Sequence, residues 1–179
     1  IIYMSTINIE TNKDEKIFWE KSKKNILSDF TIIDKINFWK HQFPNCDAKK
    51  INQYYRKAKL LLRHQIILHL KEKFNDKFIL TGSDWSKLSI ECKESNYSIK
   101  QNKEMYRGNI CLDLGCIEGS SSLYSRSNQI IESGGLIVQT NQLDYVNKWK
   151  DLSGKILFNN FENLDLILHK IFNDHEYAN

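Results

Sequence analysis

The stretch NICLDLGCIEGSSSLYSRSNQIIESGGLIVQT, from Asn109 to Thr140, decides the predicted fold. Its opening run, NICLDLG, is apolar enough to predict a buried strand, and its end, LIVQ, predicts a second one. A loop rich in glycine and serine and a helix from about Ser125 to Ser133 lie between the two runs. A strand, a helix and another strand in this order are typical of a parallel sheet, in which helices connect neighbouring strands.

The same alternation continues on both sides of this stretch. Apolar runs predict further strands in IIYMSTI, which begins at Ile1, in KFILTG, which begins at Lys77, and in KILFN, which begins at Lys155. Helical spacing of apolar residues predicts helices over about Lys13–Ser28 and Lys49–Phe74, and a last helix follows KILFN. The sequence therefore predicts one Rossmann-like α/β domain over residues 1–179, with a mainly parallel sheet of about five or six strands flanked by helices.

Two of the predicted helices begin with a capping signature. Asn12 with Glu15, and Asn159 with Glu162, have the spacing of a capping box. Between the first two helices the pattern is weaker. There FTIID, from Phe30, can form a strand, and INFWKHQF can form a turn of helix that ends before the proline.

Composition and charge exclude several classes of protein. The net charge of +4 is spread along the chain rather than clustered on one face, so we expect no nucleic-acid partner. No apolar run is long enough to span a bilayer and no leader opens the chain, so we expect a cytoplasmic protein without a transmembrane segment. The 4 cysteines lack CxxC spacing and the histidines are scattered, which predicts free thiols and no metal site.

Ligands of open parallel sheets bind beyond the carboxyl ends of the strands. This rule selects three predicted loops, Ser5–Asn12, Gly82–Leu88 and Gly115–Tyr124. Outside these loops, four basic side chains of the Lys49–Phe74 helix are interpreted as its solvated face: Arg56, Arg63, His64 and His69. Trp85 and Tyr106 are interpreted as partly buried core residues rather than as surfaces on which a base stacks.

The segment LDLGCIEG, Leu112–Gly119, resembles part of the glycine loop of an S-adenosylmethionine-dependent methyltransferase. Such a loop needs a middle glycine, where this chain has the β-branched Ile117. It also needs an acidic residue at the end of the next strand, where no acid occurs before Asp144. Only two predicted strands follow the loop, whereas a methyltransferase has most of its sheet still to come. A methyltransferase therefore stays an alternative.

The order of several motifs resembles the donor-binding, C-terminal half of GT-B glycosyltransferases, and most of all the spore-maturation (CgeB-type) glycosyltransferase-like family. The pattern is a strand that begins at a tyrosine, a glycine-containing loop, an arginine, a helix that ends in a glutamate and small residues, and a new apolar strand. These elements are Tyr106, Gly115, Gly119, Arg126, Glu132 and Gly134–Gly135. The segments KFILTGSDW and LFNNFENLDLILHKIFND are also similar to the family. The likeness covers about Leu60–Asp174 and, more faintly, Ile1–Leu27.

This resemblance implies a transferase that takes a sugar from a nucleotide-diphosphate sugar and passes it to an acceptor, without a metal or other cofactor. It also implies that the chain is a fragment of a longer two-domain protein whose N-terminal, acceptor-binding domain is absent. The fragment alone is then not expected to turn over. A GT-B-like binding module without activity is the second alternative, because such families can lose catalysis and keep the fold.

The resemblance and the chemistry of the helix after the loop suggest a set of site residues. The helix N-terminus at Ser125 attracts phosphate, and Arg126 in its first turn can fork onto a diphosphate. Glu132 corresponds to the glutamate that holds the ribose in the family, whereas the second family glutamate, eight positions earlier, is Tyr124 here. The remaining predicted contacts are small residues of two loops: Gly119, Ser120, Gly82 and Ser83.

Overall fold

A computed structural model describes residues 1–5, 10–93, 98–115, 125–148 and 150–174, with only the backbone described for residues 143, 144 and 153. Its centre is a sheet of 5 strands in which every pairing is parallel. The strands are β1 (Ile2–Met4), β2 (Ile79–Thr81), β3 (Ile110–Asp113), β4 (Leu136–Thr140) and β5 (Leu157–Phe158). The predicted α/β fold with a parallel sheet is therefore confirmed.

Eight α-helices are found in the described part of the chain. They are α1 (Lys13–Ser28), α2 (Ile36–Gln42), α3 (Ala48–Phe74), α4 (Ile99–Tyr106), α5 (Ser125–Glu132), α6 (Leu143–Lys148), α7 (Ser153–Ile156) and α8 (Phe161–Asn173). Short 3-10 helices cover Phe30–Asp34, Asn75–Lys77 and Trp85–Leu88. None of the helices in these ranges combines the length and the apolar character needed to cross a membrane.

The strand order across the sheet is β2-β1-β3-β4-β5. Ile2 pairs with Ile79 of β2 on one side and with Cys111 of β3 on the other. The chain thus winds outward from β1 to β2 and then returns to the other side of β1. This is the flavodoxin-like order of doubly wound folds, and its switch point lies between the carboxyl ends of β1 and β3.

Successive strand residues point to opposite faces of the sheet, and both faces are covered by helices. Tyr3 and Leu112 belong to the larger core, which the helices α1, α3 and α8 complete. Met4 and Cys111 belong to the smaller core, to which α4, α5 and α6 contribute Tyr106, Ile130 and Tyr145. Helices on both faces make this a doubly wound, Rossmann-like domain.

Helix α3 reaches well beyond the sheet. It has 27 residues, which is about 40 Å of helix, whereas no strand exceeds 5 residues. Asp47 caps its start, because its Oδ1 accepts the backbone N–H of Lys50 at 2.7 Å. The N-terminal half of α3 packs against α1, α2 and Phe30–Asp34, and its C-terminal half contributes Ile66, Ile67 and Leu70 to the larger core.

Two local predictions are corrected by hydrogen bonds. Asp29 Oδ1 accepts the backbone N–H of Thr31 at 3.0 Å and caps a 3-10 helix, so the weakly patterned FTIID is not a strand. The last helix is capped by Asn160, whose Oδ1 accepts the backbone N–H of Asn163 at 2.8 Å. Asn159, the predicted cap, instead accepts the backbone N–H of Phe30 through its carbonyl, at 2.6 Å.

The capping box at the start of α1 is confirmed. Asn12 Oδ1 accepts the backbone N–H of Glu15 at 2.9 Å, and Glu15 Oε2 accepts the backbone N–H of Asn12 at 3.0 Å. Trp85 and Tyr106 are fully buried, and Trp85 Nε1 donates to the carbonyl of Ser5 at 2.7 Å. Both rings are core residues, so neither offers a face on which a base can stack.

Candidate functional site

The carboxyl end of β3 turns sharply at Gly115. Asp113, the last residue of β3, is fully buried, and its Oδ1 accepts the backbone N–H of Gly115 at 3.0 Å. Gly115 has a φ of +70°, and a Cβ built on it would lie 2.3 Å from Nε2 of Gln142. The turn therefore needs a glycine, both for its left-handed backbone and for the close approach of Gln142.

A buried polar network holds the start of α5 against this turn. Ser127 Oγ donates to Asp113 Oδ2 at 2.7 Å and lies 3.0 Å from the hydroxyl of Tyr145. Gln139, at the end of β4, donates through Nε2 to Ser127 Oγ at 2.9 Å. One carboxylate thus joins β3, α5, β4 and α6 at the carboxyl edge. The first turn of α5 is fixed in position there.

Arg63 of α3 is the most unusual side chain at this edge. It is only 8% exposed, and its Nη2 donates to the carbonyl of Gly115. Among the residues that the structure describes, no carboxylate forms an ion pair with it. Lys59, one helical turn earlier, is equally buried but pairs with Asp34 Oδ1 at 3.1 Å. A buried cation is normally paired, so Arg63 lacks the partner that its neighbour has.

The prediction of a solvated basic face on α3 is wrong at Arg63. Arg56 is exposed as predicted, whereas His64 and His69 are half-buried. His69 Nε2 lies 2.7 Å from Asp165 Oδ1 on α8. Helical spacing held a signal for the burial of Arg63, because the buried residues Ile66, Ile67 and Leu70 follow it at three, four and seven positions. The charge of Arg63 led to the prediction of a solvated side chain in spite of this spacing.

A small cavity, which we call the Arg63 cavity, lies beside this guanidinium. Its volume is about 30 Å³, which is room for a water molecule. Its polar lining consists of Asp34, Lys59, Arg63, Thr140, Asn141 and Gln142. Thr140 Oγ1 and Gln142 Oε1 are buried, and no group of the described residues forms a hydrogen bond with either oxygen. A buried oxygen without a partner costs about 1–3 kcal/mol, so the cavity has unmet capacity to bind a polar group.

Asp34 belongs to the same cluster of charges. Burial raises the pKa of its carboxyl group, and the neighbouring Lys59 ammonium and Tyr55 hydroxyl act in the opposite direction. The Tyr55 hydroxyl donates to Asp34 Oδ1 at 3.0 Å. Lys59 and Arg63 contribute two positive charges to the cavity wall, and Asp34 contributes one negative charge. The remaining positive charge favours an anion.

The predicted site residues fall at opposite ends of α5. Ser125 is exposed and Arg126 is half-buried, and both lie in the first turn of the helix, beside the end of β3. Glu132 is the last residue of α5 and is exposed. It lies about 10 Å along the helix from Ser125, near the start of β4. The structure therefore brings Ser125 and Arg126 to the carboxyl edge but not Glu132.

Gly82 and Ser83 follow β2 at the same edge. Gly82 has a φ of +145°, and a Cβ built on it would lie 1.7 Å from the carbonyl oxygen of Ser5. A glycine is needed because the ends of β1 and β2 approach this closely. Ser83 is exposed, with its Oγ 3.4 Å from Asp84 Oδ2. Three further predicted residues, Gly119, Ser120 and Tyr124, lie outside the described residues.

The described ranges contain no cluster of three or more histidine, cysteine or acidic side chains that could hold a metal ion. Cys46, Cys92 and Cys111 are free thiols. Burial raises the pKa of the Cys111 thiol to about 12, so this group stays protonated and unreactive near neutral pH. Among the described residues, Arg63, Lys59 and Arg126 supply positive charge and hydrogen-bond donors at the carboxyl edge.

No family model, curated protein or solved structure matches this chain. The similarity to GT-B glycosyltransferases stays a prediction from the sequence.

Proposed function

We propose that this chain binds the diphosphate of a nucleotide sugar at the carboxyl edge of its sheet and is the donor-binding domain of a glycosyltransferase. The observation that carries the proposal is the buried guanidinium of Arg63 at the carboxyl end of β3, which pairs with no carboxylate of the described residues. The motif order of the sequence supports a nucleotide sugar as the donor and glycosyl transfer as the reaction. The geometry around Arg63 supports an anionic ligand.

The energy of an unpaired buried cation supports an anionic ligand. Leaving a buried charge without its partner costs about 3–5 kcal/mol, and the single hydrogen bond to Gly115 recovers part of this. A guanidinium has five N–H donors in a planar fork, and the fork matches two phosphate oxygens. A bound diphosphate would therefore satisfy donors of Arg63 that the described protein groups leave unused.

The position of the site supports the same ligand. In a sheet of this order, ligands bind near the switch point between β1 and β3, and Arg63 contacts the turn directly after β3. Helix α5 begins beside this turn, and its N-terminus favours negative charge. Arg126 lies in the same first turn and adds a positive charge there. A diphosphate bound beside the turn after β3, outside the small Arg63 cavity, would lie near Arg63 and the first turn of α5.

The proposed reaction breaks the bond between the anomeric carbon of the sugar and the diphosphate oxygen, and an acceptor oxygen takes the place of the diphosphate. Negative charge develops on the departing diphosphate, so Arg63 and Arg126 would stabilise the transition state more than the bound donor. In GT-B enzymes the acceptor binds to a second domain, and we expect the group that takes its proton to come from such a domain. We expect donor binding without turnover for this chain alone.

The methyltransferase alternative finds little support at the end of β4. That position would need a carboxylate for the ribose hydroxyls of the cofactor. Gln139 stands there instead, fully buried and donating to Ser127 Oγ, and Thr140 follows it. S-adenosylhomocysteine has no phosphate, and its one carboxylate is balanced by its own ammonium group, so it matches a cationic site less well than a diphosphate does.

The proposal is tested by calorimetry with UDP-, GDP-, ADP- and CDP-sugars, with S-adenosylhomocysteine as the competing ligand. We expect one class of nucleotide sugar to bind, and Arg63→Met and Arg126→Ala each to weaken it by about 10- to 100-fold, the worth of a charge-assisted hydrogen bond. Arg107→Ala is the matched control, since Arg107 is exposed near the start of β3, at the opposite edge. Binding of S-adenosylhomocysteine, or of no nucleotide sugar, would contradict the proposal.

The ribose contact needs its own test, because Glu132 lies about 10 Å along α5 from the first turn. If Glu132 holds the ribose, Glu132→Gln weakens the bare nucleoside and the nucleoside diphosphate equally, whereas Arg126→Ala weakens only the diphosphate. Glu104→Gln, on the exposed face of α4, is the control. Unchanged nucleoside affinity in Glu132→Gln would move the ribose contact elsewhere and leave the diphosphate site in place.

A further inference from the structure

A second cavity in the described part of the chain lies away from the sheet. It lies between the 3-10 helix Phe30–Asp34, helix α2 and the N-terminal half of α3, and its volume is about 640 Å³. We call it the helical pocket, and its main walls are Ile33, Asp34, Trp39, Phe43, Ile51 and Tyr55. Pockets of 300–1,000 Å³ are the usual size for small-molecule ligands.

The lining of the helical pocket is mostly apolar and held rigidly. Trp39 is buried, and its Nε1 donates to the carbonyl of Ile33 at 2.7 Å. Its ring stacks on that of Phe43, with ring centres 6.4 Å apart and planes at 18°. Tyr55 carries the Lys59 ammonium 4.9 Å from its ring centre. Fixed aromatic rings of this kind suit a flat apolar group, because little side-chain freedom is lost on binding.

Asp34 is the acidic side chain of this lining. Tyr55 and Lys59 both contact Oδ1, so the described contacts leave Oδ2 able to accept another hydrogen bond. Because Asp34 is partly buried, a hydrogen bond to its carboxylate is stronger than one in water. Lys59 already neutralises Asp34, so an added ammonium would be an unpaired charge and an added carboxylate would be repelled. A neutral hydroxyl is the donor that fits.

We propose that the helical pocket is a second ligand site that takes a small neutral molecule with a flat apolar body and a hydroxyl group, the hydroxyl donating to Asp34. This site stands independently of the proposed nucleotide-sugar function. The two sites are nevertheless neighbours, because Ile33 and Asp34 line both the helical pocket and the Arg63 cavity. A ligand in the helical pocket would present its hydroxyl toward the anion site.

A small molecule suits this pocket better than a second protein. A protein-binding groove would continue outward as a row of exposed apolar side chains. Of the large apolar side chains that are exposed in the described ranges, only Ile36 borders the pocket. The polar inner wall formed by Asp34 would also be left unsatisfied by a purely apolar helix face.

The test is an NMR titration of the protein with 2-naphthol, 2-methoxynaphthalene and 2-naphthoate, followed through backbone amides of α2 and α3. We expect 2-naphthol to shift these amides and to bind about tenfold more tightly than 2-methoxynaphthalene, which lacks the donor. 2-Naphthoate should bind more weakly than 2-naphthol, since its charge faces Asp34. Asp34→Asn should bring the affinities of 2-naphthol and 2-methoxynaphthalene close together.

Filling the pocket provides a test that does not touch the buried charges. Ala48 is exposed at the start of α3 and lines the pocket, so Ala48→Trp should block binding while the fold is kept. Lys49→Trp, one residue later and outside the lining, is the matched control and should leave binding unchanged. Arg63→Met should also leave it unchanged, which separates this site from the nucleotide site.

Three results would overturn the proposal. The first is the absence of 2-naphthol shifts at α2 and α3, and the second is equal affinity for 2-naphthol and 2-methoxynaphthalene. The third is a concentration-dependent dimer that Ile36→Glu dissociates and 2-naphthol does not, since the pocket would then be covered by a second copy of the chain.

Discussion

Replacing Arg63 by methionine should make the protein more stable and less able to bind an anion. Methionine keeps the apolar stem of the side chain and removes the charge. The change loses one charge-assisted hydrogen bond to the carbonyl of Gly115, worth about 1.5–3 kcal/mol. It also removes a buried charge that no carboxylate of the described residues pairs with, and such a charge costs about 3–5 kcal/mol. The free energy of unfolding should therefore rise by about 1–2 kcal/mol.

Urea and thermal unfolding, followed by circular dichroism, measure this change with and without inorganic pyrophosphate. For a chain of 179 residues, a gain of 1–2 kcal/mol corresponds to a rise in Tm of roughly 2–8 °C. Pyrophosphate at a hundred times its Kd should stabilise the unmodified protein by about 2.7 kcal/mol and Arg63→Met hardly at all. Arg63→Met should therefore be more stable than the unmodified protein without pyrophosphate and less stable than it with pyrophosphate.

Lys59→Met is the matched control, because Lys59 is as buried as Arg63 but has a partner. Its loss leaves the half-buried Asp34 carboxylate without this cation, so we expect a destabilisation of about 1–3 kcal/mol. The reasoning fails if Arg63→Met is destabilising by more than about 2 kcal/mol and still gains stability from pyrophosphate. Arg63 would then be a structural clamp on Gly115 and not an anion ligand.

Two further predictions concern the edge of the sheet and pH. Gly82→Ala should lower the free energy of unfolding in urea titrations by at least about 3 kcal/mol, because the new Cβ would lie 1.7 Å from the carbonyl oxygen of Ser5. Gly154→Ala is the control, since the space around Gly154 is open, and it should change the free energy of unfolding by less than about 1 kcal/mol. Burial lowers the pKa of His64 below its ordinary 6.5, so the stability that neutral His64 provides is present above pH 6.5 and is lost as the pH falls below it. His64→Gln should remove this part of the acid sensitivity and His41→Gln, on an exposed position, should not, and equal pH profiles for the two variants would contradict the assignment.

The alternation of strands and helices was predictable from sequence because parallel strands are buried on both faces. Runs such as those around Leu80, Leu112 and Val138 are therefore continuously apolar and easy to recognise. The capping box of Asn12 was predictable for a similar reason, since all of its atoms lie within one helical turn. The prediction placed the cap of α8 one position too early, because asparagines occupy both 159 and 160. The hydrogen bond from the backbone N–H of Phe30 to the carbonyl of Asn159 leaves Asn160 as the cap, and this contact has no local signal in the sequence.

The candidate site was less predictable because it depends on contacts between distant parts of the chain. From the sequence alone, Arg63 is typical of the solvated face of an amphipathic helix. Its burial depends on contact with the carbonyl of Gly115, which is 52 positions away in the chain. Asp34 lies in a segment whose pattern suits a strand as well as a helix, so neither its pairing with Lys59 nor the helical pocket has a local signature. The glycines of the carboxyl edge were recognisable, since a glycine that ends an apolar run is itself a local signal.

The position of a bound diphosphate relative to Arg63 can be measured directly in a crystal structure of the protein with the nucleoside diphosphate that binds most tightly. We predict phosphate oxygens at about 2.7–2.9 Å from the guanidinium nitrogens of Arg63, beside the turn at Gly115 and the first turn of α5. Density for the diphosphate at the Gly82 loop or in the helical pocket, with Arg63 still bonded only to the Gly115 carbonyl, would contradict the account.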